Sequence, residues 1–373
     1  SRRYQMSNQN RTIYGGKVNR EKPINFVFNG KSYIGYQGDT LASALLANDV
    51  HLIGRSFKYH RARGILTAGS EEPNAIVQLG LGARTEPNIR ATEVELYEGL
   101  EASSQNCWPS VNFDIGAMNN FLSRIFPAGF YYKTFKWPPS MWLFYEHFIR
   151  KAAGLGQSPT AKNPDRYEQK FYYTDITIVG GGISGLLAAL GAGRSGCKVL
   201  LIDENPELGG YLLDYNFSIN EKDGKKWLKK IIDELNSLAN VVILKRTTAM
   251  GYYDYNYLTA LEKVTNHHVE FSSTLPRERY WRIRSKKVIL AQGAFERPLV
   301  FADNDRPGIM MASAGQKYLS RYGVLPGKSV VLFTNNDHAY LTAFEFVEKG
   351  AKVTVVDTSC LLYTSDAADD PAS

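Results

Sequence analysis

Apolar and polar residues alternate through residues 24–36, INFVFNGKSYIGY, and Asn29-Gly30 interrupts the alternation at its centre. A period of two around an Asn-Gly pair predicts two antiparallel strands joined by a tight turn. Gly38-Asp39-Thr40 then leads into LASALLAND, whose spacing predicts a short amphipathic helix capped by Asp39 or Thr40. A hairpin followed by a helix is how a β-grasp domain begins. Residues 55–78 read as a loop-rich stretch that ends in a strand.

From Tyr172 the pattern changes. DITIVGGGISGLLAALGAGRSGCKVLLIDE reads as strand, glycine turn, helix and strand. WLKKIIDELNSL has helical spacing, VVILKRTTAMGYYD reads as a strand entering a meander, and RYWRIRSKKVILAQG returns to a buried strand. GKSVVLFTNNDHAYLTAFEFVEKGAKVTVVD repeats the strand–helix–strand order. Between the two regions lies an aromatic stretch that includes PAGFYYKTFKWPPSMWLFYEHF, expected to be either core between domains or a contact surface for another chain. Residues 154–170 are polar, carry Pro and Gly, and read as a linker.

The expected fold class is therefore α/β and α+β. A ferredoxin-like β-grasp domain over 6–100 precedes an aromatic-rich connector over 101–170. A Rossmann-type FAD/NAD(P)-binding domain of the two-dinucleotide kind follows over 171–359, incomplete and with a degenerate second repeat. Residues 1–5 precede the first methionine, and residues 360–373 break abruptly from a strand-like run. Both are expected to be non-native, which makes the genuine sequence, Met6 to Asp357, a fragment.

Composition narrows the function classes. Three cysteines among 373 residues cannot build a disulfide scaffold, and no CxxC pair is present. The net charge is +7, or +8 once Arg2, Arg3 and the three tail aspartates are set aside. Lysines and arginines are scattered, so no nucleic-acid partner is expected. The longest apolar run, Ile176 to Ala192, holds five glycines and makes a poor membrane span, so no membrane role is expected and the cytoplasm is the expected location. In ferredoxin-like domains the cluster cysteines sit in the loop after the helix. The corresponding stretch here, Gly64 to Asn74, has Thr67, Ala68, Gly69, Ser70 and Glu71 and no cysteine, so the fold is expected without its cluster.

Gly180-Gly181-Gly182-Ile183-Ser184-Gly185 fits GxGxxG between a strand and a helix. In that setting Gly180 permits the tight turn, Gly182 lets backbone approach a pyrophosphate, and Gly185 lets helix and strand pack closely. The helix N-terminus offers free N–H groups to phosphate. Asp203-Glu204 ends the next strand 18 residues after Gly185, where an acid accepts from a ribose hydroxyl and repels a 2′-phosphate. NAD or FAD is favoured over NADP. Gly209-Gly210 follows like a second glycine turn folded over a dinucleotide, and Ala291-Gln292-Gly293 resembles the turn that crosses back over the cofactor in flavoproteins of the two-dinucleotide type. In the second repeat, Thr334-Asn335-Asn336-Asp337-His338 stands where a phosphate turn needs glycines. His267 and His268 read as surface residues, His51 and His60 as structural ones, and Cys197 as buried filler. No metal site and no catalytic residue is identified.

NRTIYGGKVNREKPINF, GDTLASALLANDVHLIGRSFKYHRARGI, TAGSEEPNAIVQLGLGARTEPNIRATEVELYEGLEA, PAGFYYKTFKWP and IDENPELGGYLL together resemble the α subunits of heterotetrameric sarcosine oxidases. The resemblance implies β, γ and δ partner subunits, with the amine oxidised at a flavin on the β subunit. It also implies FMN at the α/β junction, NAD held by the α subunit, and a tetrahydrofolate site in a C-terminal region absent from this sequence. Carried over by motif, NAD is expected to touch Gly180, Gly182, Ser184 and Gly185, then Asp203 and Glu204, then Gly209, Gly210 and Tyr211, with Met250 beside the adenine and Gly293 on the returning turn. The turn departs from the Gly-Ala-Gly-Pro-Ala-Gly more common in the family. Tyr211 after the double glycine could either crowd the phosphate loop or stack on it. Two other readings stand beside this one: a free-standing or opine-dehydrogenase-like FAD oxidoreductase, and a non-catalytic dinucleotide-binding scaffold.

Overall fold

Asn29 and Gly30 take φ values of 51° and 75°, the left-handed pair a two-residue hairpin turn requires. They join β1 (Asn19–Phe28) to β2 (Lys31–Gln37) in antiparallel register, with Phe28 opposite Lys31. Thr40 caps α1 (Leu41–Ala47): its hydroxyl accepts from Ser43 N while the Ser43 hydroxyl accepts from Thr40 N. Asp39 has a different task, buried against the Arg11 guanidinium at 2.8 Å and the Ser43 hydroxyl at 2.7 Å. The computed structural model describes residues 9–121, 123, 137–152, 154–219, 221–268 and 274–358. The leader, the tail and the segment PAGFYYKTFK lie outside them.

The chain divides into two compact units, residues 1–158 with 296–373, and residues 159–295. In the first unit, short strands β3 (Gly54–Arg55) and β4 (Ala62–Arg63) precede β5 (Ile76–Leu79), β6 (Glu86–Arg90) and β7 (Leu100–Ser104). A five-stranded sheet runs in the order β2-β1-β7-β5-β6, with β1 and β7 parallel and the other pairs antiparallel. All seven residues of α1 are buried against it. Further along, α2 spans Trp142–Ala152. The aromatic stretch leaves Trp108, Phe113, Phe121 and Trp137 largely exposed.

The second unit is built on β8 (Tyr167–Val179), α3 (Ile183–Arg194) and β9 (Val199–Ile202). The small ribbon β10 (Ser218–Ile219) and β11 (Lys222–Asp223) comes next, then α4 (Gly224–Ser237) and β12 (Val241–Leu244). Strands β13 (Thr247–Tyr253), β14 (Tyr257–Lys263) and β15 (Glu278–Leu290) complete a six-stranded sheet in the order β12-β9-β8-β15-β14-β13. Strands β12, β9, β8 and β15 are parallel, and β14 and β13 add antiparallel neighbours. Two local readings change. β8 begins at Tyr167, within the stretch read as linker, because its first half pairs with β15 from Glu278 onward. The run VVILKRTTAMGYYD is two strands, broken where Arg246 takes a φ of 53°.

After residue 295 the chain is grouped with the first unit. α5 (Ala312–Tyr322) buries Ala314, Tyr318 and Leu319, and Met311, Ala314, Tyr318 and Val324 share a core with α1 and the β-grasp strands. β16 (Ser329–Thr334), α6 (His338–Glu348) and β17 (Lys352–Asp357) form a strand–helix–strand repeat with parallel strands. No described helix is long and apolar enough to cross a membrane.

Candidate dinucleotide site

Val179 at the end of β8 lies between Ile202 of β9 and Leu290 of β15, so the turn that follows starts from the middle of a buried parallel sheet. Gly180 has a φ of 106°, and a Cβ there would stand 2.2 Å from the Ala291 carbonyl oxygen. A Cβ on Gly185 would stand 1.8 Å from the Gly180 carbonyl oxygen. These two glycines are demanded by the fold itself. Gly182 is different: its φ of −74° suits any residue, and a Cβ there would meet nothing within 4 Å. The space over Gly182 is open, as a backbone cradle for a phosphate must be.

Gly182 also caps α3 without a side-chain hydrogen bond. Among the described residues, no hydrogen bond uses the amides of Gly182, Ile183 or Ser184, and Ser184 is exposed. The helix therefore presents its positive end and unsatisfied donors at the turn. This arrangement fits the pyrophosphate of a dinucleotide.

The middle glycine carries weight that the motif alone does not assign. Gly181 N donates to Asp203 Oδ2 at 2.6 Å, and Gly181 O accepts from Gly209 N at 2.9 Å. A Cβ on Gly181 would press within 2.9 Å of the Asp203 carboxylate. Asp203 Oδ1 accepts from Asn205 N and Nδ2 at 2.7 and 3.0 Å. Both carboxylate oxygens of Asp203 are thus engaged inside the protein, while its neighbour Glu204 is exposed. Adjacent acids at the end of one strand take different surroundings, and only the local hydrogen bonds tell them apart.

Gly209 and Gly210 take φ values of 133° and 53° and fold over the turn: a Cβ on Gly210 would be 3.2 Å from Gly182 Cα. Tyr211 follows at the start of a short 3-10 turn with its ring stacked on Tyr215, centroids 6.0 Å apart. The chain enters β13 against the same corner, where Thr247 N donates to Asp203 O and Arg246 N to Asn205 O. Met250 sits in a β-bulge between Ala249 and Gly251 and is 60% exposed. A bulge turns one side chain away from the regular alternation. Ala291 N donates to Val179 O at 2.7 Å, and Gly293, two residues on, has a φ of 75° and open space at its Cβ. The structure thus gathers Gly180, Gly182, Gly185, Asp203, Gly209 and Gly210 at one corner. Gly181 and Asn205 belong with them and are legible in the sequence only as the middle of a glycine run and a residue after two acids.

The loop that would hold an iron–sulfur cluster is organised by another anion. Glu72 is 1% exposed, and its Oε2 accepts from Leu66 N, Thr67 N and the Thr67 hydroxyl at 3.0, 2.6 and 3.1 Å. Its Oε1 accepts from Asn74 N and Ala75 N at 2.8 and 2.9 Å. The Tyr318 hydroxyl closes the loop from above by donating to Thr67 O at 2.9 Å. With no thiolate in the loop and its amides committed to a carboxylate, these residues do not fit a [2Fe–2S] cluster. Elsewhere, His60 Nδ1 lies 2.6 Å from buried Asp114, and His51 Nε2 lies 3.0 Å from Asp49.

In the second repeat the turn after β16 closes on itself. Thr334 Oγ1 accepts from Asn336 N at 3.1 Å, and Asn336 Oδ1 accepts from His338 N at 3.1 Å. Side chains of the turn occupy the amides that a phosphate would need.

A family profile described as "2Fe-2S iron-sulfur cluster binding domain" matches residues 21–107, and one described as "FAD dependent oxidoreductase" matches residues 175–262. The chain is similar to the sarcosine oxidase α subunit of Rhizobium meliloti (strain 1021), 53% identical over 91% of the chain and 35% of that protein. Similarity to the corresponding protein of Corynebacterium sp. (strain U-96) is 34% over 92% of the chain and 31% of that protein. An opine oxidase subunit of Agrobacterium tumefaciens (strain Ach5) is 29% identical over half of the chain and 37% of its own length. Among solved structures, L-proline dehydrogenase from P. horikoshii shares the fold, with a TM-score of 0.62 at 20% identity over 94% of this chain and 56% of that one. The chain spans about a third of the length of the sarcosine oxidase α subunits it matches. Over that third, its sequence is similar to that of the sarcosine oxidase α subunits.

Proposed function

We propose that the chain is the dinucleotide-binding part of the α subunit of a sarcosine-oxidising complex, an oxidoreductase acting on the CH–NH group of its donor. In this reading the complex converts sarcosine, oxygen and water into glycine, formaldehyde and hydrogen peroxide, or passes the one-carbon unit to tetrahydrofolate in a region beyond this sequence. The observation that carries the reading is the open space over Gly182 at an uncapped helix N-terminus, in a chain so similar to sarcosine oxidase α subunits. The amine is oxidised at a flavin on the β subunit, with FMN at the junction of α and β, and γ and δ complete the assembly.

The bound dinucleotide is NAD. A nicotinamide dinucleotide supplies hydride exchange in general; here the residues of the chain bind and orient it. Gly182, Ile183 and Ser184 direct backbone donors to the pyrophosphate, and Gly185 brings α3 close enough to do so. Asp203 holds the turn in shape through Gly181 N, and the exposed Glu204 is the acid that meets the adenosine ribose. Gly209 and Gly210 cover the phosphates, Tyr211 stands beside them, Met250 flanks the adenine from its bulge, and Gly293 gives the returning chain room.

FAD in the same turn is the second reading, favoured by the match of residues 175–262 to an FAD-dependent oxidoreductase family. Heat release of the ligand from the purified complex, followed by mass and absorbance, separates the two. NAD released from the α subunit supports the first reading, and flavin as its main ligand replaces it with the second.

A further inference from the structure

Strand β15 treats its arginines in two ways. Arg279 points to the face that carries Trp281, where Glu168 and Glu262 hold it at 2.6 and 2.9 Å. Arg282 and Arg284 point to the opposite face, and among the described residues neither forms an ion pair. They lie instead on aromatic rings: Arg282 over Phe171 at 5.4 Å and Tyr280 at 5.9 Å, Arg284 over Tyr257 at 4.6 Å. Register places these side chains together, since Arg282 is opposite Phe171 and Arg284 is opposite both Tyr173 and Tyr257. Phe171 and Tyr173 are about two-thirds exposed, at 64% and 67%.

We infer that this face of β8, β15 and β14 docks an acidic segment of another polypeptide chain. The charge is the argument. Two guanidiniums placed over rings and outside any ion pair among the described residues keep hydrogen-bonding donors for a partner and have lost side-chain freedom before it arrives. Carboxylates supply the charge and the paired acceptors that such edges match. Arginine and tyrosine are also the residues that dominate binding at protein interfaces, whereas a membrane-binding or nucleic-acid-binding surface draws on many dispersed cations. The adjacent cation, Lys286, is already bound to Asp175 at 2.7 Å, which confines the free positive charge to the arginine pair. The inference is independent of which dinucleotide the glycine turn holds.

The test uses the full chain and a fluorescent poly-L-glutamate peptide, read by anisotropy. Binding is expected to weaken as salt rises and to fall about tenfold or more in R282E/R284E, the equivalent of about 1.4 kcal/mol. R282K/R284K, which keeps the charge and loses the paired donors of the guanidinium, is expected to fall between the two. Circular dichroism reports whether the variants fold, and R282Q/R284Q stands in if charge reversal unfolds the sheet. No binding by the wild-type chain, or equal binding by the neutral or reversed variants, overturns the inference. Displacement of the peptide by single-stranded DNA or phosphatidylserine vesicles more readily than by unlabelled poly-L-glutamate overturns it as well.

Discussion

The chain builds the strand–turn–helix connection twice, at Gly180–Ser184 and at Thr334–His338, and the two corners differ in what occupies the amides of the turn. At the first, residues 180–182 are glycines and bring no side chain to the turn, and of the turn's amides Asp203 takes only that of Gly181. At the second, Thr334 and Asn336 fold back onto the amides of residues 336 and 338. Both helices start well, but one start is left open and the other is completed by its own side chains. A helix N-terminus is a ligand site only where the chain declines to satisfy it.

Substitutions can separate these roles. The largest effect is expected from Gly180→Ala, which adds a Cβ 2.2 Å from Ala291 O at a φ of 106°; urea unfolding should report a loss of about 3 kcal/mol or more. Asp203→Ala is expected to cost about 2 kcal/mol in the same measurement, because it removes a charged acceptor from Gly181 N. Gly182→Ala should leave the unfolding midpoint unchanged yet reduce dinucleotide retention about tenfold, since the Cβ meets only the space proposed for phosphate. A large stability loss at Gly182, or none at Gly180, would collapse the distinction between fold glycines and ligand glycines. At the second corner, Asn336→Ala is expected to cost about 1 kcal/mol and to leave retention of the dinucleotide untouched.

The smallest effect concerns pH. Asp223 caps α4, and hydrogen bonds from Lys226 N and Lys225 N hold its carboxyl below the ordinary aspartate value. A depressed folded value means its stabilisation is present above the unfolded value, near 3.8, and is lost as pH falls through the folded one. Asp223→Asn keeps an acceptor and should flatten that part of the acid dependence of the melting temperature.

Much of this corner is legible in the residues alone. Asn29-Gly30, Gly180 and Gly209-Gly210 each demand a backbone conformation that few residues allow, so sequence and geometry coincide there. Asp203 and Glu204 show where legibility stops. Two acids at the end of a strand look equivalent until one is seen bonded to Gly181 and the other exposed. The strand beginning at Tyr167 is hidden for a related reason: its first half is held by β15, over a hundred residues away, and local composition does not encode a distant partner. Glu72 carries no signal at all, because a buried carboxylate with five donors looks in sequence like any surface glutamate.

That carboxylate has a consequence for the life of the protein. A loop shaped around an inorganic cluster becomes native only when iron and sulfide are delivered, and it is exposed to their loss under oxidation. A loop shaped around Glu72 carries its organising charge in the polypeptide from the moment of synthesis. The β-grasp unit should therefore mature without any metallocluster-assembly machinery and keep its form in the presence of chelators and peroxide.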